Sequence, residues 1–418
     1  MADAGTTAAG VVRSLRAGRF AEVEALFAAP LRAVASAGTL RVAWTEETAR
    51  HGAVTSVGEP AAEPIGAGLV RVSVPVECER GTLTVVMSVD GSGLLNGFRL
   101  APGGAGAWDP PPYADPSAFE ERDVTVGSGP LSVPGTLTLP RGRGPWPGVV
   151  LLSGGGPFDR DATSGPNKPL KDIAWGLATN GIAVLRFDKV TCAHPAEVAA
   201  DPGFTMADEY VPHALAAASL LRREPGVDAA RIFVLGHSMG GKAAPRVAAA
   251  DPSLAGLVIM AGDAQPMHEA AVRVTRHLAS LTPGPSADAA VAAIVRQAAR
   301  VADPALSPST PAADLPFGLS APYWLDLRAY DPVATALDLH KPMLILQGGR
   351  DYQVTVEDDL ARWRTALGGR PDVAIRVHDA ADHLFFPGTG PSTPADYERP
   401  QHVDPAVIDD IAGWLKTT

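Results

Sequence analysis

A chain of 418 residues exceeds what one hydrophobic core organises, because cores stop growing near ~250–300 residues, so two units are expected. Its 46% hydrophobic and 19% charged residues exclude a disordered chain or a long coiled coil, and 43 Gly with 39 Pro favour many short elements joined by turns. The formal charge of −11 repels phosphate backbones and anionic bilayers, so neither nucleic acid nor a membrane is an expected partner.

Residues 1–101 read as helices and then strands. Val23, Leu26, Phe27, Leu31 and Val34 recur at helical spacing, while Val70 to Cys78 and Leu83 to Val89 alternate apolar and polar residues. This order predicts a small α+β domain with antiparallel strands, and Pro75 predicts an edge strand because proline donates no ladder hydrogen bond. The start of the chain carries Asp3 where a secretory leader would be basic, and no apolar run reaches membrane-spanning length, so a cytoplasmic location is expected. Cys78 and Cys192 fall in different predicted domains and are expected to be buried free thiols.

Residues 102–118 are dense in Gly and Pro and read as a linker. From 119 to 418 short apolar runs alternate with helical patterns. The runs are 123–126, 131–139, 149–152, 182–187, 232–235, 257–260, 343–346 and 373–377. They predict an α/β unit, its mostly parallel sheet buried on both faces and flanked by helices. The interval 263–336 is too long for one crossover and is helical in pattern, which predicts a helical cap insertion.

The chemistry concentrates at Gly236-His237-Ser238-Met239-Gly240, between a predicted strand and a predicted helix. In a G-x-S-x-G elbow the serine occupies a strained strand-to-helix turn and small neighbours avoid clashes, so Ser238 is the candidate nucleophile. A hydroxyl needs a base, and the base needs a carboxylate to fix its tautomer. Asp351 follows the strand and glycine turn at 343–349, and His383 lies beyond the strand at 373–377. Three such residues at the C-terminal edges of successive strands sit where open α/β sheets place their sites. Asp358 and Asp359 are expected to be solvated helix charges, and His378 and His402 to be structural or surface residues.

A developing oxyanion requires hydrogen-bond donors. The expected donors are the backbone N–H groups of Met239 and of Gly155, in the bulk-free loop Ser153-Gly154-Gly155-Gly156. Gly236 to Lys242 also matches the front of a phosphate-binding loop, but Ala243 offers no hydroxyl for magnesium. No histidine or cysteine spacing typical of a metal site occurs, so neither a metal nor another cofactor is expected. Tyr323, Trp324 and Tyr330, near the end of the insertion, either line a substrate pocket or pack the insertion onto the sheet.

Through GHSMG, GGRD and DHLF, residues 119–418 resemble the α/β-hydrolase superfamily. SGGGPFDRD and NKPLKDIAWGLATNGIAVLRFDK more narrowly resemble bacterial serine esterases that carry a small N-terminal α+β domain of unknown function. The resemblance implies an α/β-hydrolase fold and cofactor-free cleavage of carboxylic esters, and supports the triad Ser238, His383 and Asp351; the triad chemistry, an acyl-enzyme on Ser238, would serve a thioester or lactone equally. Where many relatives have His-Gly in the oxyanion loop, this chain has Ser153-Gly154. Asp159, Arg160, Asp161 and Lys168 are expected to form a salt-bridged clamp. The partner expected is a small-molecule acyl substrate. The first domain is expected to cover the pocket, to contact a second copy in a homodimer, or to steady the fold. The same triad would also serve acyl transfer or cyclisation, with a peptidase less favoured, and a binding scaffold is the alternative outside catalysis.

Overall fold

The structure, a computed structural model, describes residues 4–66, 68–102 and 108–418. It divides into two compact units, Met1–Asp109 with Tyr397–Pro400, and Pro110–Asp396 with Gln401–Thr418. Residues 103–107 of the expected linker lie outside the described residues.

In the first unit, helices α1 (Ala4–Arg16), α2 (Phe20–Ala25), α3 (Ala29–Val34) and α4 (Ala37–His51) precede five strands. These are β1 (Val54–Val57), β2 (Ala61–Gly66), β3 (Leu69–Cys78), β4 (Gly81–Val89) and β5 (Leu95–Pro102). The sheet runs β1-β3-β4-β5 with β2 also paired to β3, all antiparallel. Alternation puts Val72, Val74 and Val76 on the same face as Leu83, Val85 and Met87, and this face buries Val11, Val12 and Leu15 of α1. The expectation for Pro75 is corrected, because β3 is central rather than an edge. Pro75 falls between the stretch of β3 paired with β2, which ends at Ser73, and the stretch paired with β1, which begins at Val76. At that gap its carbonyl accepts the Gly58 N–H at 2.8 Å and its missing donor faces no ladder partner.

The second unit is built on an eight-stranded sheet of order β13-β12-β11-β10-β8-β9-β7-β6. Its strands are β6 (Phe119–Val126), β7 (Val133–Pro140), β8 (Trp146–Leu152), β9 (Ala183–Phe187), β10 (Val227–His237), β11 (Gly256–Met260), β12 (Met343–Gly348) and β13 (Val373–His378). The six from β13 to β9 are parallel, while β7 pairs antiparallel with β9 and with β6. Central strands are continuously buried, as the unbroken apolar runs require when helices cover both faces. The crossover segments hold α5 (Pro169–Thr179), α6 (Val190–Ala193), α7 (Pro195–Ala200), α8 (Met206–Arg223) and α9 (Met239–Ala250). The long interval after β11 holds α10 (Met267–Leu281), α11 (Pro285–Ala302), α12 (Ala321–Ala329) and α13 (Pro332–Asp338), and the chain closes with α14 (Ala361–Leu367) and α15 (Pro405–Thr417).

After β8 the chain places β9 on one side and then returns to place β10 on the other. The C-terminal ends of β8 and β10 therefore flank a topological switch point, the crevice where open α/β sheets hold ligands.

Candidate active site

Ser238 terminates β10 and caps α9 with φ 56° and ψ −121°, a left-handed conformation that a side-chain-bearing residue adopts at a strain of order 1–3 kcal/mol. The turn closes only with small neighbours. A Cβ on Gly236 would run into the Gly240 carbonyl, and one on Gly240 would lie 2.5 Å from the Leu152 carbonyl. The Ser238 amide is tied to the Met260 carbonyl at 2.9 Å, so the elbow is anchored to β11.

His383 Nε2 lies 3.1 Å from Ser238 Oγ, and His383 Nδ1 lies 2.7 Å from Asp351 Oδ2. Asp351 is itself fixed, its Oδ1 accepting the Gln353 and Val354 N–H groups at 2.7 and 2.9 Å and its Oδ2 accepting Gln347 Nε2 at 3.3 Å. An acceptor on Nδ1 assigns the ring proton there and leaves Nε2 free to accept from the serine. Burial opposes the His383 imidazolium, but the charge and hydrogen bond of Asp351 outweigh it and raise the pKa above the ordinary 6.5. His237, the variable residue of the elbow, braces this ring from behind. Its Nε2–H donates to the His383 carbonyl at 2.7 Å, and burial, with His383 alongside, lowers its pKa to about 3 and keeps it neutral. Asp382, the preceding residue, is pushed up to about 6 by burial.

The five-residue span from Ser153 to Pro157 after β8 lies against the elbow. A Cβ on Gly154 would come within 3.2 Å of Ser238 Cβ, and one on Gly155 within 3.3 Å of Met239 Cε. The Met239 N–H belongs to the first turn of α9, whose amides have no acceptor inside the helix and face the site with the positive end of its dipole. A cavity of about 900 Å³ opens at Ser238, Gly155 and Met239. One face of α10, with Met267, Ala271, Val274 and Leu278 at helical spacing, forms its apolar wall opposite Val198 and Phe204.

Of the three aromatic residues near the end of the insertion, only Tyr323 lines this cavity. The pocket reading is corrected for the other two. Trp324 is 1% exposed with its indole N–H on the Pro316 carbonyl, and Tyr330 donates to the Lys242 carbonyl beneath the Arg246 guanidinium; both border a smaller cavity of about 230 Å³. Asp359 is also corrected from surface to interior. The π-turn Val356–Leu360 swings it inward, where it accepts from Ala264, Gln265 and Thr355 N–H groups, while Asp358 pairs with Arg273. The expected clamp forms between Lys168 and Asp161 at 3.0 Å, whereas Arg160 pairs with Asp188 at 2.9 Å, and buried Arg186 joins at 2.8 Å from Asp161. Burial opposes the Asp161 carboxylate, yet Arg186 and Lys168 hold its pKa down at about 2.

Sequence reasoning missed a group of buried charges around the elbow. Lys242 pairs with Asp263 at 2.8 Å, and Lys189 pairs with Glu209 at 2.9 Å. Arg273 of α10 donates to the Tyr352 and Gln353 carbonyls at 3.1 and 2.9 Å, clamping the loop that carries Asp351. Lys189 and Asp263 were within reach of the rule that picked Asp351, since both lie just beyond the C-terminal end of a parallel strand. Glu209 and Arg273 are inside helices and carry no such signal.

The chain is 37% identical over 337 residues to Esterase EstD of Thermotoga maritima, an alignment that spans 81% of this chain and 77% of that protein. The chain belongs to the α/β-hydrolase superfamily. This α/β-hydrolase matches no family model. Solved structures that align with it include the esterase domain of a Rhodothermus marinus protein, at 19% identity and a TM-score of 0.44 over 71% of this chain and 98% of that one. A Pyrococcus furiosus esterase aligns at 17% identity and a TM-score of 0.44, over 74% and 97% of the two chains. Among the described residues, no cluster of three His, Cys, Asp or Glu side chains could hold a metal ion, and no helix is long and apolar enough to cross a membrane.

Proposed function

We propose that this α/β-hydrolase cleaves uncharged carboxylic esters through an acyl-enzyme on Ser238. The observation that carries the reading is the hydrogen-bonded series Asp351–His383–Ser238 at the floor of an apolar cavity. Ser238 Oγ attacks the ester carbonyl carbon as its proton passes to His383 Nε2, and Asp351 stabilises the imidazolium and holds its orientation. The N–H groups of Gly155 and Met239 donate to the oxyanion of the tetrahedral intermediate. The carbon–oxygen bond to the alcohol then breaks and His383 returns the proton to the leaving oxygen. Water, deprotonated by the same imidazole, attacks the acyl-enzyme and releases the acid. The Asp351 charge, which raises the pKa of His383, makes it a stronger base toward the serine proton.

The uncharged substrate follows from the lining. The cavity residues include no Lys, Arg or His, and the carboxylates among them are Asp201, Glu209 and Asp263, of which the last two are neutralised by lysines behind the wall. An anionic acyl group would find no counter-charge there. The test is turnover of p-nitrophenyl butyrate together with labelling by a fluorophosphonate probe. Wild type is expected to turn over and to be labelled at Ser238; Ser238→Ala is expected to lose about 10⁵–10⁶-fold in kcat and all labelling. Turnover surviving in Ser238→Ala would overturn the proposal.

A further inference from the structure

Behind the loop after β8 sits an ammonium group that hydrolysis by the triad leaves unused. The side chain of Lys189 is 3% exposed, and its three donors are all engaged: Gly154 carbonyl at 2.9 Å, Tyr210 Oη at 2.8 Å and Glu209 Oε1 at 2.9 Å. Tyr210 in turn shares its hydroxyl proton between the Ser153 and Gly154 carbonyls, at 3.1 and 2.9 Å. Glu209 also accepts from Thr191 and, through its second oxygen, from Tyr323 of the cavity wall. Glu209 closes the first turn of α8 and Tyr210 follows it, and a reciprocal Thr205–Asp208 capping box holds this end of the helix in place. The network therefore runs from the wall of the cavity, at Tyr323 and Glu209, to Lys189 behind the loop.

We propose that Lys189, neutralised by Glu209 and assisted by Tyr210, is a positioning residue that orients and polarises the Gly154–Gly155 peptide for oxyanion binding. In a trans peptide the C=O and the following N–H point in opposite directions. Turning the Gly154 carbonyl onto Lys189 and Tyr210 aims the Gly155 N–H the other way, away from the network. Gly155 itself borders the cavity beside Ser238. Two donors on that carbonyl also draw electron density from the amide and strengthen its N–H as a donor, since hydrogen bonds in series polarise one another. The same ammonium, charge-compensated and with every proton engaged, is neither a nucleophile nor a base. Buried ion pairs are often replaceable by apolar groups without loss of stability, so fold stability alone does not account for this one. A glycine-only loop has no side chain with which to fix its own peptide planes, which is the work Lys189 performs from outside.

This inference rests on the serine-hydrolase reading, and its test separates the two. The double variant K189M/E209Q removes both charges together and leaves no uncompensated ion; Tyr210→Phe removes one hydroxyl. Each is measured for p-nitrophenyl butyrate kinetics, for affinity toward a trifluoromethyl ketone that adds to the serine as a tetrahedral anion, and for thermal unfolding. K189M/E209Q is expected to lose about 10²–10³-fold in kcat, with KM within about threefold and ketone affinity falling in parallel with kcat/KM. Tyr210→Phe is expected to lose about tenfold in both kcat and ketone affinity, as the milder removal of one of two donors. A folded double variant with wild-type kcat and ketone affinity would overturn the inference, as would a loss confined to KM. Should the double variant fail to fold, Tyr210→Phe with unchanged kcat and ketone affinity would overturn it. Residual turnover in Ser238→Ala would instead overturn the underlying reading.

Discussion

The two units bury different kinds of atoms. Among the described residues, the buried side chains of the first unit are apolar from Ala8 to Leu95, packed between four helices and an antiparallel sheet. The second unit has an apolar core of the same kind but also buries Arg186, Lys189, Lys242, Glu209, Asp263, Asp351 and Asp382. Most of these stand just beyond C-terminal ends of parallel strands, around Ser238. Burying a charge is unfavourable unless a partner and hydrogen bonds compensate it, so a fold that needs only stability has no reason to do so repeatedly. Where it does, each charge is engaged by another group, and the engaged groups bracket the elbow from the oxyanion side (Lys189, Glu209) and from below (Lys242, Asp263).

The sharpest way to break that contrast is to neutralise a charge in the site while leaving its shape. Asp351→Asn keeps the volume and the hydrogen bonds to Gln353 and Val354, but no longer stabilises the imidazolium and favours the wrong tautomer. A loss of about 10⁴-fold in kcat is expected, equivalent to about 5.5 kcal/mol of transition-state stabilisation. The pH profile should move with it. His383 must be neutral to act as base, so wild-type kcat/KM falls as pH drops through a pKa above 6.5. Removing the Asp351 charge leaves burial as the dominant influence and is expected to shift that acidic limb to lower pH. A limb that stays in place in Asp351→Asn would show that another group titrates.

In the first unit the same contrast predicts a purely mechanical response. Leu83 is fully buried between the sheet and its helices. Leu83→Ala deletes core volume and is expected to destabilise that unit by about 2–5 kcal/mol, with no pH dependence between 5 and 8, because burial raises the pKa of the Cys78 thiol packed in the same core above its ordinary 9.0. Chemical denaturation followed at two pH values checks it; a cost that varied with pH would mean that a hidden charge exists there.

Much of this was legible in the sequence where one local rule decided the outcome. Each expected strand from 123 to 377 is present, because continuous apolar runs between glycine- and proline-rich turns have few other homes. Ser238, Asp351 and His383 come together because the parallel order of β10, β12 and β13 brings their C-terminal ends to one edge. The failures share a different cause. Pro75 was misplaced because its missing donor is excused by a gap between two neighbouring strands, which no single-strand rule sees. Trp324 and Tyr330 have the composition of a pocket wall, but the rotation of α12 and the turn after it face them toward α9 and the smaller cavity. Asp359 resembles its solvated neighbours in every local respect and is buried by a single widened helical turn. Lys189 and Glu209 are 20 residues apart on separate elements, and only the packing of α8 against the strand ends joins them.

The smallest expected effect is also the most discriminating, because it reverses sign with pH. Asp382 accepts the Leu384 and Phe386 N–H groups on Oδ1 at 2.9 and 3.0 Å, while its buried Oδ2 has no hydrogen-bond partner. Burial raises its pKa from 3.8 to about 6, so the folded protein binds a proton at Asp382 more tightly than the unfolded chain does. By linkage, that contribution favours folding below pH 3.8, is lost as pH rises through about 6, and leaves a penalty of about 1–3 kcal/mol at pH 8. Asp382→Asn keeps the Oδ1 acceptor and abolishes the titration. Relative to wild type it is expected to gain stability at pH 8, to gain about half as much at pH 5, and to gain nothing, or to lose slightly, below pH 3.8. Because the Asp382 charge also supports the His383 imidazolium, the acidic limb of kcat/KM should move down in the same variant, by less than in Asp351→Asn. A stability difference that does not change with pH would show that the Asp382 carboxylate ionises as readily in the folded protein as in the unfolded chain, so that burial does not raise its pKa.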